Sequence, residues 1–276
     1  MIKIVKKMIR NLYIDIKEKN NWLSRNNKVN YLKRMTRNVL PYSYYAYCLY
    51  HASDLAVRLG IHHFSVIEFG VAGGNGLLAL EKHTEIIERI FNVHIEIYGF
   101  DSGEGMFSPR DYRDMPYFFT KGNYQMNKPK LMPKLKRAKL IIGNVTETAP
   151  AFIETYRSAP IAAAMFDLDY YSSTTDALAL FCSDNEQFFL PRLFTYFDNT
   201  VGNEIKLYNE FTGELLAISD FNAAQKNIKI AKSQQFHAYR RNHCWHHKIF
   251  IMHRFLNPYY NKYIASHKPE SLSLKE

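Results

Sequence analysis

Residues 66–76 read Val-Ile-Glu-Phe-Gly-Val-Ala-Gly-Gly-Asn-Gly and decide the fold of this chain. The stretch starts as an apolar strand that ends in Glu68, passes into a glycine-rich turn, and continues into a helical pattern that begins at Leu77. A backbone without Cβ atoms lets a ligand lie directly against such a turn. The stretch therefore predicts a nucleotide-type pocket at the point where a strand passes into a helix.

The identity of the ligand follows from what this turn lacks. The dinucleotide fingerprint G-x-G-x-x-G fails because Val71 and Ala72 follow Gly70, and the sequence contains no G-x-x-x-x-G-K-[ST] for a P-loop. The acid at the strand end, Glu68, would repel a pyrophosphate but would attract a ligand that carries an amino group. S-adenosylmethionine, with its sulfonium and ammonium groups, is such a ligand, and we predict it as the cofactor.

Strand-like and helical patterns alternate from residue 65 onward. Strands are predicted near residues 65–69, 95–100, 138–142, 161–167, 192–197, 228–231 and 248–253. Helices are predicted near residues 75–90, 128–136, 146–157, 173–188 and 213–226. This alternation is typical of α/β proteins with a parallel sheet. It predicts a Rossmann-like, mostly parallel, doubly wound sheet of seven strands whose last two form a pair.

Polar side chains at two strand ends are candidates for cofactor binding. Asp101 follows the second strand, where an acidic side chain accepts both ribose hydroxyls in nucleotide-binding α/β folds. Asn144 follows the third strand, where an adenine amino group would find a partner. The complete predicted cofactor-binding set is Glu68, Gly70, Gly74, Asn75, Asp101, Ser102, Asn144 and Asp167.

A second group of polar residues closes the fourth and fifth strands. Asp167 and Asp169 follow the fourth strand, and Asp198 and Asn199 follow the fifth. Because neighbouring parallel strands end at one edge of a sheet, Asp167, Asp198 and Asn199 are expected to lie close together. Two carboxylates and one amide oxygen suit Mg²⁺ or a similar divalent cation that keeps several waters. Such a cation would bind a substrate hydroxyl and lower its pKa.

The linked motifs resemble the macrocin O-methyltransferase family of class I S-adenosylmethionine-dependent enzymes. The resemblance covers about residues 65–255 and rests on Glu-x-Gly at 68–70, Phe-Asp-Ser-x-Glu-Gly at 100–105, Gly-Asn-x-x-Glu-Thr at 143–148 and Phe-Asp-x-Asp-x-Tyr-x-Ser-Thr at 166–174. The resemblance implies a magnesium-dependent O-methyltransferase acting on a sugar hydroxyl.

Some positions depart from the patterns of related enzymes. The paired acids of that family at the fifth strand are Asp198-Asn199 here, a trio with Asp167 that resembles the trio of catechol O-methyltransferase. The catechol enzymes place a lysine three residues after the first metal Asp, where this chain has Tyr170. Asp169 or a nearby histidine must then serve as the base if one is needed besides the metal. The predicted catalytic residues are therefore Asp167 and Asp169.

Composition narrows the class of protein and its partners. The 276 residues, of which 47% are hydrophobic, suit one sizeable α/β domain with extensions. Three cysteines far apart, Cys48, Cys182 and Cys244, predict a cytoplasmic protein without a disulfide framework. A net charge of +10 admits nucleic acid, anionic membrane or anionic glycan as a partner. The sequence has no RNA-binding signature, so nucleic acid is not expected.

The chain divides into three predicted parts. Residues 1–60 are predicted to form an N-terminal helical extension that acts as a lid, a dimer contact or a membrane-surface contact; residues 61–258 form the methyltransferase domain, and residues 259–276 a tail. The basic residues near the start would allow peripheral binding to the anionic inner face of a membrane; they are Lys3, Lys6, Lys7 and Arg10. Packing in the core or in a homo-oligomer is the first expectation for this helix, and the membrane surface is the alternative.

The sequence leaves two chemical classes of acceptor as alternatives. A sugar or glycan hydroxyl is the first hypothesis, and an aromatic-rich segment at 103–126 is predicted to be a mobile loop that covers the acceptor. Methylation of a small phenolic or polyketide acceptor is the alternative within the enzyme class. A cofactor-binding scaffold without catalysis is the alternative outside it.

Overall fold

The computed structural model of the protein describes residues 28–238 and 243–265. Its central sheet has seven strands in the order β3-β2-β1-β4-β5-β7-β6. The first five strands run parallel, and β7 runs antiparallel to both β5 and β6. The bounds are β1 His63–Phe69, β2 His94–Asp101, β3 Lys139–Ile142, β4 Ile161–Phe166, β5 Phe189–Phe197, β6 Ile228–Lys232 and β7 Ile249–Arg254. This strand order is that of the class I methyltransferase fold, which confirms the predicted fold class.

Seven α-helices lie within the described residues. They are α1 Lys28–Thr36, α2 Ser43–Leu59, α3 Asn75–Phe91, α4 Lys128–Leu131, α5 Val145–Tyr156, α6 Tyr171–Leu178 and α7 Gly213–Ala224. The helix predicted near 128–136 is only one α-turn followed by a 3₁₀ turn, because Pro133 has no N–H to continue the α-helical hydrogen-bond ladder. The helix predicted near 173–188 also ends early, at Leu178, and continues as 3₁₀ turns.

The helices cover the sheet in two layers. On one face, α1, α2 and α3 pack on alternate strand residues such as Val66 and Ile97. On the other face, α5, α6 and α7 pack on residues of opposite parity such as Ile67 and Phe100. The strands are buried on both sides, as expected for parallel strands between helix layers. Ligands can therefore reach the sheet only at its edges.

The N-terminal segment is helical where the structure describes it. Helix α2 is largely buried and packs against β4, β5 and α3. The prediction for residues 1–27, including the four basic residues assigned to a membrane contact, lies outside the described residues, and so does the tail beyond residue 265. None of the described helices is both long and apolar enough to cross a membrane.

A buried histidine in this layer predicts how stability depends on pH. His83 is 5% exposed; its Nε2–H donates to the Pro41 carbonyl at 2.7 Å, and its Nδ1 accepts from the Tyr31 hydroxyl at 2.9 Å. Burial lowers the pKa of His83 to about 4. The unfolded chain therefore binds more protons between about pH 6.5 and 4, and we expect about 2–3 kcal/mol of stability to be lost as pH falls through that range.

Thermal unfolding measured from pH 7 to pH 4 tests this expectation. His83→Gln keeps a donor and an acceptor but cannot titrate, so the loss of Tm on acidification should be smaller in this variant than in the wild type. Equal pH slopes in the two proteins would show that His83 does not carry the effect.

Candidate active site

A cavity of about 320 Å³ opens at the carboxyl ends of the parallel strands. This is the edge at which α/β sheets bind their ligands, and the volume lies in the range of small-molecule sites. The strand ends and their loops supply the walls; the lining residues include Gly70, Ala72, Asp101, Ser102, Gly143, Val145, Asp167, Asp169, Tyr170, Asp198, Asn199 and Lys206.

The glycine-rich turn lies against the end of β4. Gly70 lines the cavity with a φ of +86°, and a Cβ atom on it would lie 2.0 Å from the Asp167 carbonyl oxygen. No L side chain fits a left-handed position with so close a backbone neighbour. The glycine thus allows the β1 turn and the β4 end to meet at the floor of the cavity.

Glu68, the acid predicted to face the cofactor, lies behind the cavity rather than in its wall. It is 2% exposed, and its Oε1 accepts a hydrogen bond of 2.7 Å from the Tyr45 hydroxyl of α2. Burial raises the pKa of Glu68 well above its ordinary value, and its Oε2 has no hydrogen-bond partner in the described part of the chain. Gly76 leaves room for this carboxylate, because a Cβ atom there would lie 2.0 Å from Oε1.

Asp101 lies where the sequence predicts a ribose ligand. Its Oδ2 accepts from the Ala72 N–H at 2.7 Å, and its Oδ1 accepts from the Gly103 N–H at 2.6 Å. These bonds join the ends of β1 and β2 and hold the carboxylate at the cavity wall, next to Ser102. Backbone donors of this kind fix a carboxylate without neutralising its charge.

Besides Glu68, three of the predicted cofactor ligands do not line the cavity. Gly74 packs against Leu131, whose side chain a Cβ atom would meet at 2.2 Å. Asn75 is exposed at the start of α3. The side chain of Asn144 caps α5 by accepting from the Thr146 N–H at 3.1 Å, although its neighbour Gly143 does line the cavity.

The acids of β4 and β5 come together as predicted. Phe166 pairs with Phe197 in register, so the residues that follow both strands leave the sheet side by side. Asp167, Asp169, Asp198 and Asn199 all line the cavity. Asp167 faces open space at the cavity floor but is surrounded by protein on its other sides. Loss of hydration there, reinforced by the charges of Asp198 and Asp169, raises its pKa well above the ordinary value.

Hydrogen bonds fix how Asn199 and Asp198 present their oxygens. The Asn199 amide Nδ2 donates to Asp169 and, at 2.8 Å, to the Tyr208 hydroxyl. Its Oδ1 is buried and accepts from no described residue. One oxygen of Asp198, Oδ1, accepts from the Tyr196 hydroxyl and from Lys248 Nζ at 3.0 Å.

This arrangement can be tested against the predicted divalent cation. Among the described residues, no three His, Cys, Asp or Glu side chains are placed to hold a metal ion, so a site here must include an amide. The unpartnered Oδ1 of Asn199 is such an acceptor, and it lies in a cavity wall shared with Asp167 and Asp198. A buried acceptor without a donor, beside clustered carboxylates, suits a hard cation. The residues present fit the predicted group.

Sequence reasoning missed two charged residues of the site. Lys206 lines the cavity from the loop between β5 and α7. Burial raises the pKa of Asp169 to about 7, and the positive charge of Lys206 limits this rise. Glu214 is fully buried in the first turn of α7 and accepts from the backbone N–H groups of Leu168 and Asn199. Neither residue lies in a recognisable motif. For Glu214 the one signal in the sequence is an acid at the start of a predicted helix, which is a common pattern without specific meaning.

The aromatic segment at 103–126 contributes the outer wall. Met106, Phe107 and Tyr124 line the cavity or its mouth, while Met115 and Phe119 are buried against Tyr170. The segment therefore lies at the cavity, and its predicted role of covering an acceptor stays a prediction. The predicted mobility stays a prediction.

Comparison with known proteins gives likeness in fold only. No protein-family model matches the sequence, and no curated protein matches it. Similar solved structures include CalS11, a calicheamicin methyltransferase (19% identity, 74% of this chain and 77% of that chain, TM-score 0.48), and the O-methyltransferase NovP (13% identity, 76% and 78%, TM-score 0.48). An O-methyltransferase from Bacillus cereus in complex with SAH is similar at 12% identity (87% and 96%, TM-score 0.38). The fold is that of class I methyltransferases on its strand order, and membership of the macrocin O-methyltransferase family stays a prediction.

Proposed function

We propose that this protein is an S-adenosylmethionine-dependent, divalent-metal-assisted O-methyltransferase that acts on a hydroxyl group of a sugar or glycan. The observation that carries the proposal is one cavity that gathers the Gly70 turn, the Asp101 carboxylate and the Asp167, Asp198 and Asn199 oxygens. Donor, cation and acceptor hydroxyl must meet within a few ångströms for in-line transfer. The ends of β1, β2, β4 and β5 supply the groups proposed for the donor and the cation.

The donor side of the site is assigned to the β1 and β2 ends. Asp101, held by the Ala72 and Gly103 N–H groups, would accept the ribose hydroxyls. The backbone at Gly70 lets the donor approach the sheet edge without a side chain in the way. The donor's positive charges would face the carboxylate-rich floor of the cavity, where Asp167 lies.

The cation is assigned to Asp167, Asp198 and Asn199. Among the described residues, four carboxyl groups gather here, from Asp167, Asp169, Asp198 and Glu214, and the ammonium groups of Lys206 and Lys248 oppose part of their charge. A divalent cation would balance the remaining negative charge. When bound, it would lower the pKa of an acceptor hydroxyl and so favour its attack on the methyl group. Asp169 lines the same cavity and is the candidate base.

The acceptor is assigned to the outer part of the cavity. Phe107, Tyr124 and Tyr170 line it beside polar groups such as Ser173 and Lys206. Aromatic faces next to hydrogen-bonding groups suit a ring with apolar faces and hydroxyl edges, as in a sugar. A phenolic acceptor would use the same faces, so an acceptor screen has to distinguish the two classes.

Calorimetric titration of S-adenosylmethionine tests the central claim. We expect binding by the wild type and a loss of about 10- to 100-fold in affinity for Asp101→Asn, because a charge-assisted hydrogen bond contributes about 1.5–3 kcal/mol. Asp111→Asn is the control, because the Asp111 carboxylate pairs with Arg113 away from the cavity. Absence of S-adenosylmethionine binding by the wild type, with or without Mg²⁺, would refute the proposed function.

A further inference from the structure

We infer that Glu214 is a positioning residue that sets the distance between the two loops carrying the proposed metal ligands. The inference rests on the proposed function, because it concerns the same cation site. Glu214 belongs to the first turn of α7, which lies behind the cavity, and it does not line the cavity itself. Its effect must therefore pass through the residues that it holds.

The two carboxylate oxygens of Glu214 bind the two loops separately. Oε2 accepts from the Asn199 N–H at 2.7 Å, and Oε1 accepts from the Leu168 N–H at 3.4 Å. Leu168 directly follows Asp167, and Asn199 directly follows Asp198. One side chain thus connects the backbone after β4 to the backbone after β5, at the residues where the acids leave the sheet.

Burying the Glu214 carboxylate between the two loops reduces the free energy of unfolding. The residue is 0% exposed and has no ion-pair partner among the described residues. A buried carboxylate without a counter-ion is unfavourable, and its hydrogen bonds offset only part of the lost hydration. An acidic residue in the first helical turn commonly interacts with the helix dipole. Here both oxygens instead bind N–H groups outside α7.

The geometry of a metal site depends on such outer partners. Removing a group that orients a ligand typically lowers metal affinity about 10- to 100-fold. In this protein the β4 and β5 loops are also joined by the bond from Asn199 to Asp169, which involves side chains only. Beyond the last sheet pair, Phe166 with Phe197, Glu214 is the described side chain that holds backbone N–H groups of both loops. Without it, the separation of Asp167 and the Asn199 amide oxygen is less tightly fixed.

The test is titration of Mn²⁺ into the metal-free full chain, followed by calorimetry and by electron paramagnetic resonance of the bound ion. Glu214→Gln preserves the shape of the side chain but places an N–H₂ group against one of the two N–H donors. We expect the affinity of this variant for Mn²⁺ to fall about 10- to 100-fold. Affinity for S-adenosylmethionine alone should fall less than affinity for Mn²⁺, because Asp101 and the Gly70 turn lie on other strands and Asp167 would face the donor without coordinating it.

Glu81 offers a matched control. It is 5% exposed, and its Oε1 accepts from the backbone N–H groups of Lys136, Arg137 and Ala138 at 2.9, 2.7 and 2.8 Å. Glu81→Gln therefore disturbs another buried carboxylate that binds backbone, outside the cavity. It should lower Tm as Glu214→Gln does while leaving Mn²⁺ affinity unchanged.

The outcomes separate this inference from the proposed function. If the wild type binds Mn²⁺, Asp198→Asn does not, and folded Glu214→Gln binds as tightly as the wild type, the positioning role is refuted while the cation site stands. If the wild type binds no Mn²⁺, the cation site and the positioning role are both refuted. Equal losses of Mn²⁺ affinity in Glu81→Gln and Glu214→Gln would show a general effect of destabilisation and would also refute the positioning role.

Discussion

Replacing Asp167 with asparagine is expected to reduce methyl transfer by about 100- to 1,000-fold, because metal activation of a hydroxyl contributes several kcal/mol to the transition state. The same change should stabilise the metal-free protein. Asp167 accepts no side-chain hydrogen bond from the described residues, and the charges of Asp198 and Asp169 oppose its ionisation. Removal of this repulsion should raise Tm by a few degrees.

A lower rate of methyl transfer together with a higher Tm would show that Asp167 is a functional rather than a structural residue. The measurements are thermal unfolding without metal and initial rates with S-adenosylmethionine, Mg²⁺ and an acceptor found by screening. Asp220→Asn is the matched control, because it removes one negative charge from an exposed position outside the cavity. A lower Tm for Asp167→Asn, or a rate within a factor of a few of the wild type, would contradict the assignment.

Strand ends were the part of the site that the sequence could predict. Asp101, Asp167 and Asp198 each follow an apolar run, and parallel strands end at one edge of the sheet. The positions of the strand ends in the sequence are therefore enough to predict that these three carboxylates lie near one another. The same reasoning placed Asn199, because it is adjacent to Asp198.

Glu68 shows the limit of that reasoning. Side chains alternate along a strand, and Glu68 has the parity of Val66, which packs under α2 and α3. The acid is therefore directed into that helical layer, where Tyr45 donates to it. The partner lies 23 residues upstream, and no local pattern indicates the contact.

Asn144 does not line the cavity because a local hydrogen bond competes for its side chain. Glu214 was not predicted because its partners are distant in sequence. A short polar side chain before a helix tends to bind the helix's own N–H groups, and Asn144 does so at the start of α5. Glu214 acts on Leu168, 46 residues away, and on Asn199, 15 residues away. Contacts of this kind depend on how α7 is placed against the sheet, which propensity and periodicity do not determine.

Gly70→Ala is expected to be among the most damaging single substitutions in the site. Gly70 has a φ of +86°, and Gly60, at the end of α2, has a φ of +81°. An alanine in the left-handed region costs about 1–2 kcal/mol at either position. A Cβ atom at Gly60 would meet nothing within 4 Å, whereas at Gly70 it would lie 2.0 Å from the Asp167 carbonyl oxygen.

The difference between the two variants isolates the close approach of the β1 turn to the β4 end. We expect Gly70→Ala to lose about 1–3 kcal/mol more stability than Gly60→Ala in urea unfolding, since the Asp167 backbone must move to admit the methyl group. That movement would displace the Asp167 carboxylate, so Mn²⁺ affinity should fall in Gly70→Ala and not in Gly60→Ala. Equal stability losses would mean that the turn relaxes without moving β4. A cation site that depends on Asp167 should weaken when the Asp167 backbone is displaced. If a folded Gly70→Ala protein binds the cation as tightly as the wild type, the turn does not position the metal ligands.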